Sequence, residues 1–300
     1  MRAAPVAALI TGVLAIATAP VVILLAGIEP FALAAWRLLS VTAVLSLLAG
    51  PALVRDLKGL TGPERLRLLV SGLLYGSHFG LFNLAFFHTS KESVVVLLGV
   101  QPLMAAVIGA IWLGERITRG MVLASLAAMA GLLMFVWHDY TFDVHHLVGD
   151  ALTLAACLTI VISYSIGRRL RPRMSLKGYL LALYLLGGLT CLSVALVLGS
   201  PLGGFDRQTW FWIGVAVLLP TLIGHSMFHY VVKYVPIFYV NLVVLGEPIL
   251  SLLIMIGLRD HYSVFRTSTL TPVQLTGGLL LLGGVAIGLL AAGRNKPVEA

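Results

Sequence analysis

Charged side chains are scarce in this 300-residue chain, at 11%, where a soluble domain carries about a quarter. That shortage excludes an ordinary water-soluble globule. Cysteine is scarcer, with only Cys157 and Cys191, each inside an apolar run. They offer neither a disulfide framework nor a metal-ligand spacing, and they read as small buried hydrophobes. No glycine-rich phosphate cradle is present, so ATP hydrolysis cannot drive the chain by itself. A serine-hydrolase elbow would need Gly-x-Ser-x-Gly, and Gly224-His225-Ser226 runs on to Phe228 instead.

What the chain has is apolar length. Hydrophobic residues make up 59% of it. A window of roughly 19 residues divides them into ten segments, near 3–27, 30–54, 66–89, 92–114, 120–138, 147–168, 176–199, 208–232, 236–258 and 271–293. Such lengths suit a hydrocarbon layer of roughly 30 Å. The first segment starts like a secretory signal, with Arg2 and Ala17-Thr18-Ala19. It stays apolar through Pro20 to Ala26, however, and is read as a span.

The basic residues orient these spans. With the N-terminus cytoplasmic, the outer segments hold only Lys91, Arg207, Arg259 and Arg266, and Arg37 lies within a span. The other 15 of the 20 Lys and Arg fall on the inner side, densest at Arg168, Arg169, Arg171, Arg173 and Lys177. By the positive-inside bias both termini are cytoplasmic in a multi-pass inner-membrane protein. The charge of +8 is then a topology signal and a contact for lipid headgroups, which removes the case for nucleic acid.

The two halves also resemble each other. A shift of 146 residues lays Gln101-Pro102 of the fourth span on Glu247-Pro248 of the ninth, and His78 falls one residue from the counterpart of His225. Five spans is an odd number, so the second copy must run through the membrane upside down. The expected fold is an all-α membrane protein of ten helices, as two inverted five-helix repeats around a central cavity. The repeats cover 1–138 and 147–293, with a cytoplasmic tail at 294–300. Inverted repeats broken at matching places are the pattern of secondary transporters that bind cargo at the midplane.

Polar residues inside spans mark the candidate site. At about 1.5 Å of rise per residue, Arg37, Gln101, His78 and Glu247 reach one level, roughly 10–13 Å below the outer face. Pro102 and Pro248 each leave an upstream carbonyl without its helical donor. Glu247 either binds a substrate ammonium or a proton, or forms a fixed or gating pair with Arg37. His78 and Gln101 read as cargo ligands or as satisfied interior groups. Phe79, Phe82, Asn83, Tyr164, Tyr239, Tyr75 and Trp36 could complete an aromatic and polar pocket. The row Gly72, Gly76, Gly80 favours close approach of a helix on a side away from His78, and Gly284-x-x-x-Gly288 allows another.

His225 and His229 are four apart, a metal-capable spacing, but lack the glutamate of a zinc-hydrolase helix. His138, Asp139, Asp143, His145, His146 and Asp150 read as a solvated outer loop. Neither cofactor nor metal is called for.

Arg37, Gln101-Pro102 followed by Leu113-Gly114-Glu115-Arg116, and Gly246-Glu247-Pro248 together resemble the EamA branch of the drug/metabolite transporter superfamily, and within it a bacterial amino-acid exporter. The resemblance implies ten helices in two inverted halves, and a cavity lined by the first, third, fourth, sixth, eighth and ninth spans. It also implies export of small metabolites, amino acids with broad specificity foremost, by alternating access. Where the second half would repeat Leu-Gly-Glu, the chain has Leu258-Arg259-Asp260-His261, so no role is carried onto Asp260 or His261. The rival reading is an intramembrane enzyme using His78, Glu247 or the His225/His229 pair in acid-base or metal chemistry. Oligomeric state is not encoded in these patterns.

Overall fold

The computed structural model describes residues 3–137, 146–266 and 268–294. His138, Asp139, Asp143 and His145, and the tail beyond Arg294, lie outside the described residues. Ten helical spans run Ala3–Ala26, Pro30–Gly59, Gly62–Ala85, Ser93–Leu113, Arg119–Val136, Leu147–Leu170, Leu176–Val197, Arg207–Val231, Ile237–Leu258 and Pro272–Ala291. They are called spans 1 to 10. Connections are short, so successive spans run in alternate directions. One face of the bundle holds the 2–3, 4–5, 6–7 and 8–9 connections and is called the basic face.

Side chains cap the helices that start near either face. Glu29 accepts from Ala32 N–H (2.8 Å), Ser175 from Gly178 N–H (3.1 Å) and Asp206 from Thr209 N–H (2.7 Å), each satisfying a first-turn donor. The Glu64 carboxylate reaches back to Thr61 N–H at 2.8 Å. Four spans are irregular inside the bundle. Span 1 breaks after Ile16, span 4 after Leu98 and span 9 after Val244. New helices start at Ala19, Gln101 and Glu247, with Pro20, Pro102 and Pro248 in their first turns and no side-chain cap. Proline suits that position because its missing N–H would have had no helical partner. Span 8 instead widens into a π-helical stretch, Val217–His225, around Pro220.

Glycine seams hold the bundle. A Cβ at Gly76 would lie 2.8 Å from the Cα of Gly187, so span 3 meets span 7 backbone to backbone. Gly80 and Gly72 seat the Phe31 ring and the Leu186 side chain. On the other side, a Cβ at Gly131 would lie 2.6 Å from the Gly277 carbonyl, and one at Gly284 2.9 Å from that of Ala124. Spans 5 and 10 are thus closely packed within the chain, and the Gly284/Gly288 row is used there. Small-residue contact of this kind replaces the hydrophobic drive that lipid does not supply between helices.

Candidate functional site

A cavity lies between the seams. Ile16 and Ala19 of span 1, Arg37 of span 2, His78, Phe79, Phe82 and Asn83 of span 3, and Leu98 and Gln101 of span 4 line it. Ile160 and Tyr164 of span 6, His225 and Phe228 of span 8, and Val244 and Glu247 of span 9 complete it. The three interrupted helices restart at its wall, through Ala19, Gln101 and Glu247. No side chain caps these helix starts, the end of a helix that carries partial positive charge.

Each polar group has a defined setting. Arg37, 2% exposed, donates from Nε to Thr221 Oγ1 at 3.0 Å, and its guanidinium lies 4.6 Å from the centre of the Phe79 ring. Thr221 sits in the π-helical stretch and donates in turn to the Ala216 carbonyl at 2.7 Å, five residues back. The widened turn therefore fixes the arginine. His78 Nδ1 lies 2.9 Å from the Ala156 carbonyl. A carbonyl only accepts, so Nδ1 carries the hydrogen and Nε2 is the lone-pair nitrogen of the neutral ring. Gln101 Nε2 donates to Asn241 Oδ1 at 2.7 Å, and Asn241 Nδ2 to the Ile237 carbonyl at 2.7 Å, which fastens broken span 4 to broken span 9. Asn83 donates to the Pro30 carbonyl at 3.0 Å, while its Oδ1 has no partner.

Glu247 is 6% exposed and opens the second half of span 9. Among the described residues it forms no ion pair with Arg37, whose Nε is taken by Thr221. Acid and base thus face one cavity without closing on each other. Tyr239 is buried in the first half of span 9 and is not among the lining residues. Trp36 is held towards the opposite face, donating to the Leu202 carbonyl at 3.0 Å and packing edge-on against Trp210. Tyr75 lies behind the lining, against Phe79, Tyr184 and His225. His225, which the sequence offered with His229 as an acid-base or metal pair and not as cavity lining, is turned into the cavity. Among the described residues no group of three or more His, Cys, Asp or Glu could hold a metal ion.

The cavity encloses about 40 Å³, well below the roughly 300–1,000 Å³ of a small-molecule site. Above it, towards the face opposite the basic one, an apolar vestibule of about 110 Å³ is lined by Pro20, Leu24, Phe86, Val94, Val95, Phe135, Leu252 and Met255, among others. Phe82, Leu98 and Glu247 are shared by both spaces, so they form the partition.

The basic face is closed by arginines at the end of span 6. Arg168 Nε lies 2.6 Å from Glu115 Oε1, and its Nη1 donates to the Val232 and Val235 carbonyls. Arg169 donates to the Trp112 carbonyl, and Arg173 pairs with Glu64 at 2.6 Å. Burial pushes the Glu115 carboxyl above the ordinary carboxylate range even with Arg168 beside it. At the other face Asp150 Oδ1 accepts from Thr89 and Ser93 at 2.7 and 2.6 Å, a staple between the 3–4 turn and span 6.

Ten apolar spans around a buried polar cavity, reached through interrupted helices, define a multi-pass membrane transporter. Residues 3–137 match the EamA-like transporter family. An uncharacterized transporter of Haemophilus influenzae is 26% identical over 274 residues, covering 86% of this chain and 85% of that protein. A crystal structure at 18% identity superimposes with a TM-score of 0.76 over 98% of this chain and 99% of the other. That likeness establishes the fold alone.

Proposed function

We propose that the protein exports small zwitterionic metabolites, amino acids foremost, by alternating access. The observation that carries this reading is the unpaired Arg37 and Glu247 on one buried cavity. A carboxylate suits Arg37 and the helix N-termini; an ammonium suits Glu247. Phe79, Phe82 and Tyr164 supply apolar wall for a side chain. The basic face is the cytoplasmic one, both termini lie inside, and the membrane is a bacterial-type inner membrane. Residues 1–138 and 147–293 are two inverted repeats, a reading supported by spans 4 and 9 breaking at positions 146 residues apart. Closed arginines below and an apolar vestibule above fit a state leaning to the outside.

Liposomes containing the purified protein and loaded with labelled amino acids test this. Saturable efflux of unaltered amino acid is the expected result. No flux of any amino acid would sink the reading, and covalent change in a supplied peptide or lipid would favour an intramembrane enzyme.

A further inference from the structure

Two neutral side chains of the cavity wall have their hydrogen-bond roles fixed from behind. His78 Nδ1 gives its hydrogen to the Ala156 carbonyl, so Nε2 remains as an acceptor. Gln101 Nε2 donates to Asn241 Oδ1, and Asn241 cannot turn over because its own Nδ2 is held by the Ile237 carbonyl. The amide oxygen of Gln101 is the atom left over. Among the described residues, neither His78 Nε2 nor Gln101 Oε1 has a hydrogen-bond partner in the protein. Both residues are buried, at 9% and 3% exposed, and a buried acceptor without a donor is costly.

Helical spacing sorts the wall into two ends. His78 and Phe82, four residues apart on one face of span 3, stack with ring centres 5.8 Å apart. Gln101 follows Leu98 by one turn across the break in span 4. Phe82, Leu98 and Glu247 are the partition towards the vestibule, so His78, Gln101 and Glu247 gather at that end. Phe79 and Asn83 share the neighbouring face of span 3, and the Arg37 guanidinium stacks on Phe79. The fixed donor is thus at one end and the acceptors are at the other. Tyr164 and His225 also line the cavity, but a hydroxyl turns to suit its partner. His225 Nδ1 has no partner to fix its tautomer, so neither residue imposes a role.

We propose that Glu247, Gln101 and His78 form a primary-ammonium site, with Gln101 and His78 as the residues that select cargo by its number of N–H groups. The inference rests on the transport reading above and narrows it to cargo whose amino group is unsubstituted. A primary ammonium carries three hydrogens, one for each acceptor, and the Glu247 carboxylate answers its charge. Proline or an N-methyl amino acid brings two. An N,N-dimethyl amino acid brings one. Each missing hydrogen leaves an acceptor dehydrated and unpaired, which is how a polar site rejects an analogue that lacks an N–H.

The test uses full-length protein in liposomes exchanging a labelled amino-acid mixture, with leucine, N-methylleucine and N,N-dimethylleucine as competitors. In wild-type protein each added methyl group should raise the half-inhibitory concentration about tenfold or more. His78→Phe and Gln101→Met each remove one acceptor at similar bulk. Either should weaken leucine to about the level of N-methylleucine, so that the first step shrinks to about threefold or less. Exclusion by size alone survives both substitutions. Wild-type ratios in both variants therefore overturn the proposal, as does an equal effect of all three competitors on wild-type protein, with the transport reading left standing. Absence of any amino-acid exchange by the wild type would overturn the transport reading, and this one with it.

Discussion

The Nε of Arg168 stands 2.6 Å from Oε1 of Glu115, and the same guanidinium donates to the carbonyls of Val232 and Val235 at 2.9 and 2.7 Å. One side chain thereby ties the ends of spans 4 and 6 to the 8–9 turn. Removing one partner of a buried pair is worse than never having the pair, because a charge is stranded. Arg168→Ala should therefore cost about 1–3 kcal/mol, the lower end reflecting the partial exposure of Arg168. Glu115→Gln leaves the two carbonyl bonds and should cost less, about 1 kcal/mol or under. Thermal unfolding in detergent ranks the two, and equal losses would mean that the arginine does not neutralise Glu115.

Glu115 also sets a pH dependence. Its folded-state pKa is raised, with burial as the largest cause and Arg168 opposing it. The folded protein thus holds this proton more tightly than the unfolded chain. The resulting stability is complete below the ordinary carboxylate pKa and is lost as pH rises through the raised value. Asp206 has the opposite sign. The Thr209 backbone N–H lowers its pKa, so its contribution is present above the ordinary value and lost on acidification. Melting temperatures across the acid-to-neutral range should flatten for Glu115→Gln above the ordinary carboxylate pKa and for Asp206→Asn below it.

The cavity charges should act separately on cargo. If the proposed zwitterionic cargo is right, Glu247→Gln removes the partner for its ammonium and should weaken amino-acid binding about tenfold or more, the equivalent of about 1.4 kcal/mol. Arg37→Lys loses the planar group that stacks on Phe79 while bonding Thr221, a change of about 0.5–2 kcal/mol. Calorimetric titration of amino acids measures both, and unchanged affinity in Glu247→Gln would remove that acid from cargo recognition.

Glycine substitutions should divide by seam. Gly76→Ala and Gly131→Ala each drive a Cβ into backbone of spans 7 and 10, which cannot swing aside as a side chain can. A loss of about 1–3 kcal/mol is expected. Gly257 has nothing within 4 Å of a Cβ, so Gly257→Ala should be neutral or gain up to about 1 kcal/mol through helix propensity. Unfolding midpoints of the three variants compare them directly.

Span number was legible because each segment is long and apolar enough to be counted alone. That Arg37, His78, Gln101 and Glu247 come together was legible because helical rise turns sequence distance into position along each span, and all four line one cavity. Rotation about each helix was not legible. Tyr239 is on the right span yet misses the cavity, and His225 reaches it because the π-helical stretch around Pro220 re-aims the following turn. Pro20 carried the same signal as Pro102 and Pro248, but the apolar run around it hid the break in span 1. The hold of Thr221 on Arg37 joins residues 184 apart, a relationship that no periodicity encodes.

Spans 3 and 7 touch through bare backbone at Gly76 and Gly187, and spans 5 and 10 do so at Gly131 and Gly284, points that cannot slide without collision. Spans 1, 4 and 9 have already given up the hydrogen bonds that would resist bending at their centres, and span 8 is loosened at the same depth. Mechanical compliance is therefore concentrated in a ring around the cavity, between two stiff walls. A rearrangement that admits a molecule from one side and releases it on the other can flex that ring while both walls move as intact bodies.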